Sequence, residues 1–368
     1  MSCRGNKKTD KFVSGLGQLL LSFSILAFST DTVLATPSDL ADLSMQDLMR
    51  VNINEKPIAE VRERWSVEYS YRQLHLDGYQ MDDRSVGLMD ILFTPGEMRT
   101  DRNFPIVPIK ATQEVHTFDI GYRLNNKLKL SLSVPFVRQD TDHISTITGF
   151  EAFNIASSGL GDISLLSTWY MPINHNSAWQ LSGGVSLPTG SIDEKGDTPR
   201  NGAGTIEQLP FTKQLGTGTW DLPLSISYLR NDGSWDWGTQ ITARIHLGEN
   251  HRGYHLGDRY GINIWAQYFT KSFLHPGIKL AWQHIDPIHG VDTDLLMPGL
   301  FPFPTAISNP AFFGGNNINL SLLLKVCNAK TNCKKYADLE FTKPVYRNMT
   351  GVQPREDYQF SISFGLKF

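Results

Sequence analysis

The sequence predicts an all-β protein, a transmembrane antiparallel up-and-down β-barrel of about twelve strands. Residues 358–368 (YQFSISFGLKF) alternate apolar side chains with small or polar ones without a break. Successive side chains of a strand point to opposite faces of its sheet, so this segment has one apolar face and one polar face. The same alternation recurs down the chain in segments of roughly ten residues, which favours lipid outside and a polar lumen inside over a soluble sheet.

The first 35 residues are predicted to be a secretory signal peptide. A basic region at residues 4–11 precedes an apolar run at 13–28, and Val33-Leu34-Ala35 provides small residues for cleavage after Ala35. A membrane-anchoring helix is the alternative, although the run is short and diluted by Gly, Ser and Thr. We therefore expect export to the outer membrane of a Gram-negative bacterium.

Residues 36–62 do not alternate and are predicted to form a periplasmic N-terminal segment with one short amphipathic helix. Apolar side chains between Leu40 and Val51 recur at steps of two, three and four residues. The stretch 39–53 resembles the leader of many TonB-dependent receptors. A helix that docks at the barrel mouth, a small plug and a partner-binding segment remain open as interpretations.

The barrel itself is predicted to occupy residues 63–368. Short and long connections alternate between the strands, so with both ends in the periplasm every short turn is periplasmic and every long loop faces outward. The aromatic end Phe368 resembles the signal that outer-membrane proteins present to their assembly machinery. The predicted strands are 64–75, 112–123, 127–138, 160–171, 177–188, 219–229, 235–247, 259–269, 273–284, 316–326, 336–344 and 357–368.

Aromatic residues cluster at the strand ends beside the short turns, where an interfacial girdle is expected. A soluble sandwich would not restrict its aromatic residues to one end of the strands. The girdle residues are Trp65, Tyr122, Trp169, Trp179, Tyr228, Trp235 or Trp237, Tyr268, Phe273 and Phe368.

Because the apolar side chains of each predicted strand face the lipid, the polar side chains at the alternate positions face the lumen. A charge on the lipid face would cost roughly 2–4 kcal/mol at the membrane midplane, so inward placement is expected whatever the function. Both signs of charge are present, which suits either a salt-bridged interior or a selective passage and indicates no single-sign ring. The charged residues predicted to line the lumen are Glu68, Arg72, Asp119, Asp162, Asp221, Arg244 and Lys279.

Two predicted outer loops are unusually apolar. One contains residues 86–93 and 104–109, and the other contains residues 295–304 and 310–313. Exposed apolar stretches of this size bind a ligand or fold against one another. We expect either a lid over the barrel mouth or a collection site for hydrophobic molecules, and the two are compatible.

Composition excludes several classes of function. A net charge of −3 and a pI near 6.4 argue against a nucleic-acid partner. Cys327 and Cys333 are predicted to form a disulfide in an oxidising compartment, with a zinc site or a reactive thiol as the alternative. No cofactor or metal is expected.

No enzyme is expected either. The pair His143-Ile-Ser145 matches the His-x-Ser arrangement of an outer-membrane phospholipase, but that family follows its serine with Asn-Gly and this chain has Thr146-Ile147. His-x-Ser arises easily by chance, and the sequence names no partner to orient the histidine.

Three glycine-containing motifs, in order, resemble one family. They are Gly159-Leu-Gly-Asp-Ile-Ser-Leu-Leu165, Gly183-Gly-Val-Ser-Leu-Pro-Thr-Gly190 and the stretch from Leu215 to Tyr228, LGTGTWDLPLSISY. Together they resemble the outer-membrane β-barrel family known as "MetA-pathway of phenol degradation". The resemblance implies an outer-membrane channel linked to the uptake of aromatic or hydrophobic compounds, and it names no catalytic residue.

These observations lead to one functional expectation and one alternative. The expected function is that of a channel or transporter that is embedded in outer-membrane lipid and takes up small, aromatic or hydrophobic molecules. Transport is expected to be passive, because the chain contains no nucleotide-binding element. The alternative is a non-conducting structural or adhesive barrel that binds a partner through its long outer loops.

Overall fold

The computed structural model describes residues 63–202, 204–270, 272–328, 331 and 333–368. The predicted signal peptide and the predicted helix in residues 36–62 lie outside these residues. No helix within the described part of the chain is long and apolar enough to cross a membrane.

The described residues form seventeen strands, one short helix, α1 (Leu88–Ile91), and four 3₁₀ turns, at Phe211–Lys213, Thr293–Leu295, Ala306–Ser308 and Pro310–Phe312. The strands are β1 (Trp65–Asp82), β2 (Arg84–Val86), β3 (Ile106–Asn125), β4 (Leu128–Ser145), β5 (Ala152–Leu160), β6 (Ile163–Asn174), β7 (Ser177–Leu187), β8 (Lys195–Asp197), β9 (Ile206–Gln208), β10 (Trp220–Asp232), β11 (Trp235–Leu247), β12 (Tyr254–His255), β13 (Arg259–Tyr268), β14 (Leu274–Ile285), β15 (His289–Gly290), β16 (Gly315–Cys327) and β17 (Lys335–Lys367).

Eleven of these strands close into an antiparallel barrel, with β2 and β5 paired beside it. Strands β8 and β9, and strands β12 and β15, form two small separate ladders. The closing contact joins β1 to β17, with Ser66 opposite Lys367. This architecture confirms the predicted fold class.

The last strand, β17, reverses direction within its length. Its first part pairs with β16 and its second part pairs with β1, both antiparallel. Gly351 at the reversal has a φ of +73°, a conformation that glycine adopts without strain. Antiparallel pairing around a closed ring needs an even number of arms, so this reversal supplies the twelfth arm. The prediction of residues 345–356 as a loop is wrong, because both arms run through them as strand.

The alternation of side chains explains why these segments pair as a barrel rather than as a soluble sheet. On β11, Ile241 is 56% exposed on the outside, while its neighbours Gln240 and Thr242 are 2% and 6% exposed and face inward. Apolar outward and polar inward is the reverse of a soluble protein and fits a lipid surround.

The aromatic girdle lies where the sequence predicts it. The rings of Trp65 and Tyr122 are 4.6 Å apart, and those of Trp235 and Tyr268 are 5.0 Å apart. The short turns follow directly from these strand ends. This end of the barrel is therefore assigned as the periplasmic end.

Strands β1, β3 and β4 extend further outward than predicted. Residues 76–82, 106–111 and 139–145 were expected in loops but continue these strands. His143 and Ser145 consequently lie at the outer end of β4 and not in the middle of a loop.

The two apolar outer loops pack against one another. A first lid cluster consists of Tyr79, Ile91, Phe104, Val107, Ala306 and Val352. A second lid cluster consists of Phe211, Tyr254, Leu256, Ile288, Leu295 and Phe313. The guanidinium of Arg252 contacts the carboxylates of Asp193, Asp292 and Asp294 and so ties three outer segments together. The predicted lid is therefore present over the outer end of the barrel.

Candidate functional site

A polar cavity of about 280 Å³ lies inside the barrel. Four of the seven predicted lumen residues line it, namely Glu68, Arg72, Asp119 and Lys279. Their strands place them there because each occupies an inward position of the alternation. A barrel of about twelve arms is expected to have an interior between a filled core and an open pore, and a cavity of this volume is consistent with that.

Charges on one wall of the cavity are paired. Lys279 contacts Glu340, and Lys325 contacts Asp338. The hydroxyl of Tyr336 donates a hydrogen bond to the Glu68 carboxylate, and the Lys325 ammonium lies 4.6 Å from the centre of the Tyr336 ring. With cations and anions neutralising one another, this wall does not form the single-sign ring that would select ions by charge.

The other three predicted lumen residues form a separate buried cluster near the outer end of the barrel. Asp221 pairs with Arg244 and accepts a hydrogen bond from the Thr219 hydroxyl at 2.6 Å. Asp162 accepts bonds from the backbone N–H groups of Gly190 and Thr217, both at 2.8 Å. Asp162, Asp221 and Arg244 therefore face inward, as their phase requires, but they hold a loop rather than line the polar cavity.

That loop folds into the barrel. We call residues 209–217 the plug segment, all of which are buried. The Gln139 amide donates to the Gln214 carbonyl at 2.8 Å, and the Ser157 hydroxyl donates to the Lys213 carbonyl at 2.7 Å. These contacts hold the segment through side chains of β4 and β5 rather than through strand pairing.

An apolar patch on the inner wall receives the plug segment. Leu215 packs against the buried inward side chains of the first strands. The remaining members of this patch are Leu74, Leu76, Ala111, Val115 and Val137.

Glycines of the motifs allow the plug segment to approach the wall. A Cβ on Gly190 would lie 2.6 Å from the Leu215 carbonyl oxygen, and one on Gly159 would lie 2.8 Å from the Leu215 side chain. At Gly190 the atoms in the way belong to the backbone, so only a residue without a Cβ permits this approach, whereas at Gly159 a Cβ would displace the end of the Leu215 side chain. The glycine motifs therefore form the seat of the plug segment.

The plug segment was not predicted from the sequence. It lies within the predicted outer loop 189–218, and its residues show neither strand nor helix periodicity. The available signal was the pair Phe211 and Leu215, two large apolar side chains within a polar loop.

The His143–Ser145 pair does not have a nucleophile's geometry. The Ser145 hydroxyl donates to the Phe150 carbonyl at 2.7 Å, and a ring nitrogen of His143 lies 3.0 Å from the Thr141 carbonyl. Both side chains are thus engaged with backbone carbonyls rather than with one another.

Cys327 and Cys333 are joined by a disulfide across the turn between β16 and β17, with 5.1 Å between their Cα atoms. A ring nitrogen of His275 and the two sulfur atoms lie within 4.8 Å of one another. A disulfide sulfur is not a thiolate, and the thiolate is the form that binds metals.

Comparisons with known proteins identify relatives by fold alone. No family model matches the sequence, and no curated protein matches it. A crystal structure of the COG4313 outer membrane channel from Pseudomonas putida F1 has 14% identity and a TM-score of 0.55, covering 87% of this chain and 100% of that one.

Two further solved structures have TM-scores below 0.5. A Pseudomonas aeruginosa FadL homologue has 10% identity and a TM-score of 0.41, covering 84% of this chain and 91% of that one. A TodX monoaromatic hydrocarbon channel mutant has 10% identity and a TM-score of 0.43, covering 86% and 94%. At a TM-score of 0.55, the similarity to the structure from Pseudomonas putida F1 shows that the two chains share a closed β-barrel fold.

Proposed function

We propose that this protein is a passive outer-membrane channel for small, aromatic or otherwise hydrophobic molecules, here in a closed conformation. Its site would be the inner passage that runs from the lid, past the plug segment, to the polar cavity. Its partners would be the lipid around the barrel, the permeant and the outer-membrane assembly machinery, which would read the exposed Phe368.

The plug segment is the observation that carries this proposal. It closes the outer end through hydrogen bonds to wall side chains and to residues 191 and 194, and through apolar contacts of Leu215 and Phe211, while the strand pairing of the barrel is complete without it. A segment held in this way can leave its seat without breaking the barrel. A removable plug above a polar cavity is expected in a channel that opens and is not required in a structural barrel.

The chemical class of the permeant rests on the outer approach. The lid and the inner-wall patch are apolar, so a molecule that moves along them would be partly hydrophobic. The three glycine motifs and the channel from Pseudomonas putida F1, similar in fold, support the same class of protein.

A second candidate is a non-conducting structural or adhesive barrel. The paired charges of the lumen wall favour it, because the pairs Lys279–Glu340 and Lys325–Asp338 neutralise one another and give that wall no single-sign ring. In that case the long outer loops would bind a surface or a partner.

Single-channel recording of Asp162→Ala distinguishes the two. Removing the carboxylate takes away the acceptor for two backbone N–H groups that anchor the loop, at Gly190 and Thr217. A single hydrogen bond to a charged group contributes about 1.5–3 kcal/mol, so we expect openings to become at least about tenfold more frequent. Asp162→Asn, which keeps one acceptor oxygen, should lie between wild type and Asp162→Ala.

The matched control is Asp232→Ala, which removes an exposed carboxylate at the short turn between β10 and β11 that accepts from the Arg230 and Trp237 side chains and does not contact the plug segment. Its opening frequency should equal that of wild type. If wild type and Asp162→Ala are both silent while each still migrates as a folded, heat-modifiable barrel, the channel proposal fails and the second candidate is preferred.

A further inference from the structure

The first lid cluster contains buried hydroxyl groups without hydrogen-bond partners among the described residues. The Tyr79 hydroxyl is one, in a side chain that is 1% exposed. Thr305 and Ser308, 3% and 1% exposed, are two more, and they flank Ala306, a member of the same cluster. Buried polar atoms in folded proteins are nearly always paired, so such a group requires a reason.

The surroundings of these hydroxyls are apolar. Ile91, Phe104 and Val352 pack with Tyr79, and the rings of Phe104 and Phe312 meet edge to face at 6.1 Å. None of the residues of the cluster carries a charge. A pocket that opened here would have apolar walls and a few hydroxyl groups able to donate or accept one hydrogen bond each.

The cluster and the inner-wall patch have members on the same two strands. Tyr79 follows Leu74 and Leu76 on β1, and Val107 precedes Ala111 and Val115 on β3. A molecule leaving the lid along these strands would meet Leu215 of the plug segment next. The cluster therefore lies at the outer end of the proposed passage.

We propose that the first lid cluster is the outer binding site for the permeant, and that it selects small uncharged molecules that are mostly apolar and carry one hydrogen-bonding group. This inference rests on the proposed function and adds its recognition step. The Tyr79 hydroxyl supplies the polar contact, and the aromatic and aliphatic side chains around it supply the apolar contact. When no ligand is bound, the loops close on one another and leave the hydroxyl unpartnered.

The test uses two ligands of similar shape, 4-fluorophenol and 4-fluorotoluene, which differ in a hydroxyl group. Their binding to the refolded full-length protein in lipid nanodiscs is measured by ¹⁹F NMR line broadening. Tyr79→Phe removes the hydroxyl and keeps the ring. We expect it to weaken 4-fluorophenol binding about tenfold, the effect of one neutral hydrogen bond, and to leave 4-fluorotoluene binding within about twofold.

Tyr254→Phe is the matched control. Tyr254 belongs to the second lid cluster and is as buried as Tyr79, but its hydroxyl is hydrogen-bonded to Asn250. It should leave the binding of both ligands unchanged. An equal effect of Tyr79→Phe on both ligands, or no binding of 4-fluorophenol to wild type, would overturn the site.

Recording ionic current from the same preparations separates this inference from the function on which it rests. Selective binding without any current would support the site and contradict the channel. Current without binding at the lid would support the channel and contradict the site.

Discussion

Gly365 leaves room for the ring of Tyr336, a side chain that contacts several charged groups of the lumen. The ring of Tyr336 lies over Gly365 of the neighbouring arm, where a Cβ would come within 2.0 Å of the ring. In this position its hydroxyl reaches Glu68 and its ring lies between the ammonium groups of Lys325 and Lys367, at 4.6 Å and 5.8 Å. The absence of a Cβ at position 365 thus allows one tyrosine side chain to contact three charged groups, those of Glu68, Lys325 and Lys367.

We predict that Gly365→Ala displaces this ring and destabilises the barrel by about 1–3 kcal/mol, the usual cost of overpacking. The measurement is the midpoint of urea unfolding of the refolded protein, followed by tryptophan fluorescence. Gly183→Ala is the control, because the Cβ it adds meets only a flexible leucine side chain at 3.2 Å. In a Tyr336→Ala background the cost of Gly365→Ala should largely disappear; an unchanged cost would show that the ring is not its cause.

Individual inward residues were predictable, and their partners were not. The alternation alone places Glu68, Arg72 and Lys279 in the lumen. The partner of Lys279 is Glu340, two arms away, and that pairing depends on strand registers that a side-chain pattern does not specify. For the same reason the association of Asp162 with Thr217 could not be predicted.

Among the elements, the plug segment depends on a buried lysine. The ammonium of Lys213 contacts the Thr141 hydroxyl inside the outer end of the barrel. Burial lowers the pKa of Lys213 from 10.5 to about 7, although Asp140 and Asp142 oppose this shift. The other ionisable group facing it is His143, beside them on β4.

We predict that alkaline pH favours the closed channel. Between pH 7 and about 10.5 the released segment binds a proton at Lys213 that the seated segment does not, so seating becomes more favourable as pH rises, by up to about tenfold per pH unit. Below pH 7 both states carry the proton and this dependence ends. Open probability should therefore fall from pH 7 to pH 10 in single-channel recordings.

Lys213→Met should abolish this pH dependence, because methionine fills the site without a charge. The exposed Lys195→Met serves as the control and should titrate as wild type does. A pH profile that persists in Lys213→Met would assign the titration to another group.

The strands were the most predictable elements, and the segments beyond the membrane were the least. Strands β11 and β13 end within one residue of the predicted limits, because lipid enforces alternation there. Outside the apolar band the chain meets water and the other loops, so residues 106–111 and 345–356 extend their strands without the pattern. The plug segment has no repeating pattern at all, since its contacts are set by the wall that receives it.

At the scale of the whole molecule, strand pairing holds the barrel closed. The seam between β1 and β17 runs from Ser66–Lys367 to Asp82–Met349. The Cys327–Cys333 disulfide closes only a short turn, so it constrains little of the unfolded chain. Closure and the disulfide are therefore separate contributions to stability.

We predict that the double substitution Cys327→Ser/Cys333→Ser lowers the free energy of unfolding by no more than about 2.4 kcal/mol, the chain-entropy value for so short a loop. The variant should still migrate as a folded band in unheated SDS gels and lose that band on heating. Deleting residues 352–367, which form the second arm of β17, should abolish the folded band. A barrel that fails to form after the cysteine substitution alone would show that the turn is needed for closure.

The seam also has a consequence for the order of assembly. Strand β1 is synthesised first, yet one of its edges finds its partner only when the second arm of β17 has been synthesised after all the other strands. Throughout that interval the growing sheet has two unsatisfied edges that could pair with another chain. These edges stay unpaired until the last arm arrives, so the rate of that final pairing sets how long each molecule is vulnerable to aggregation.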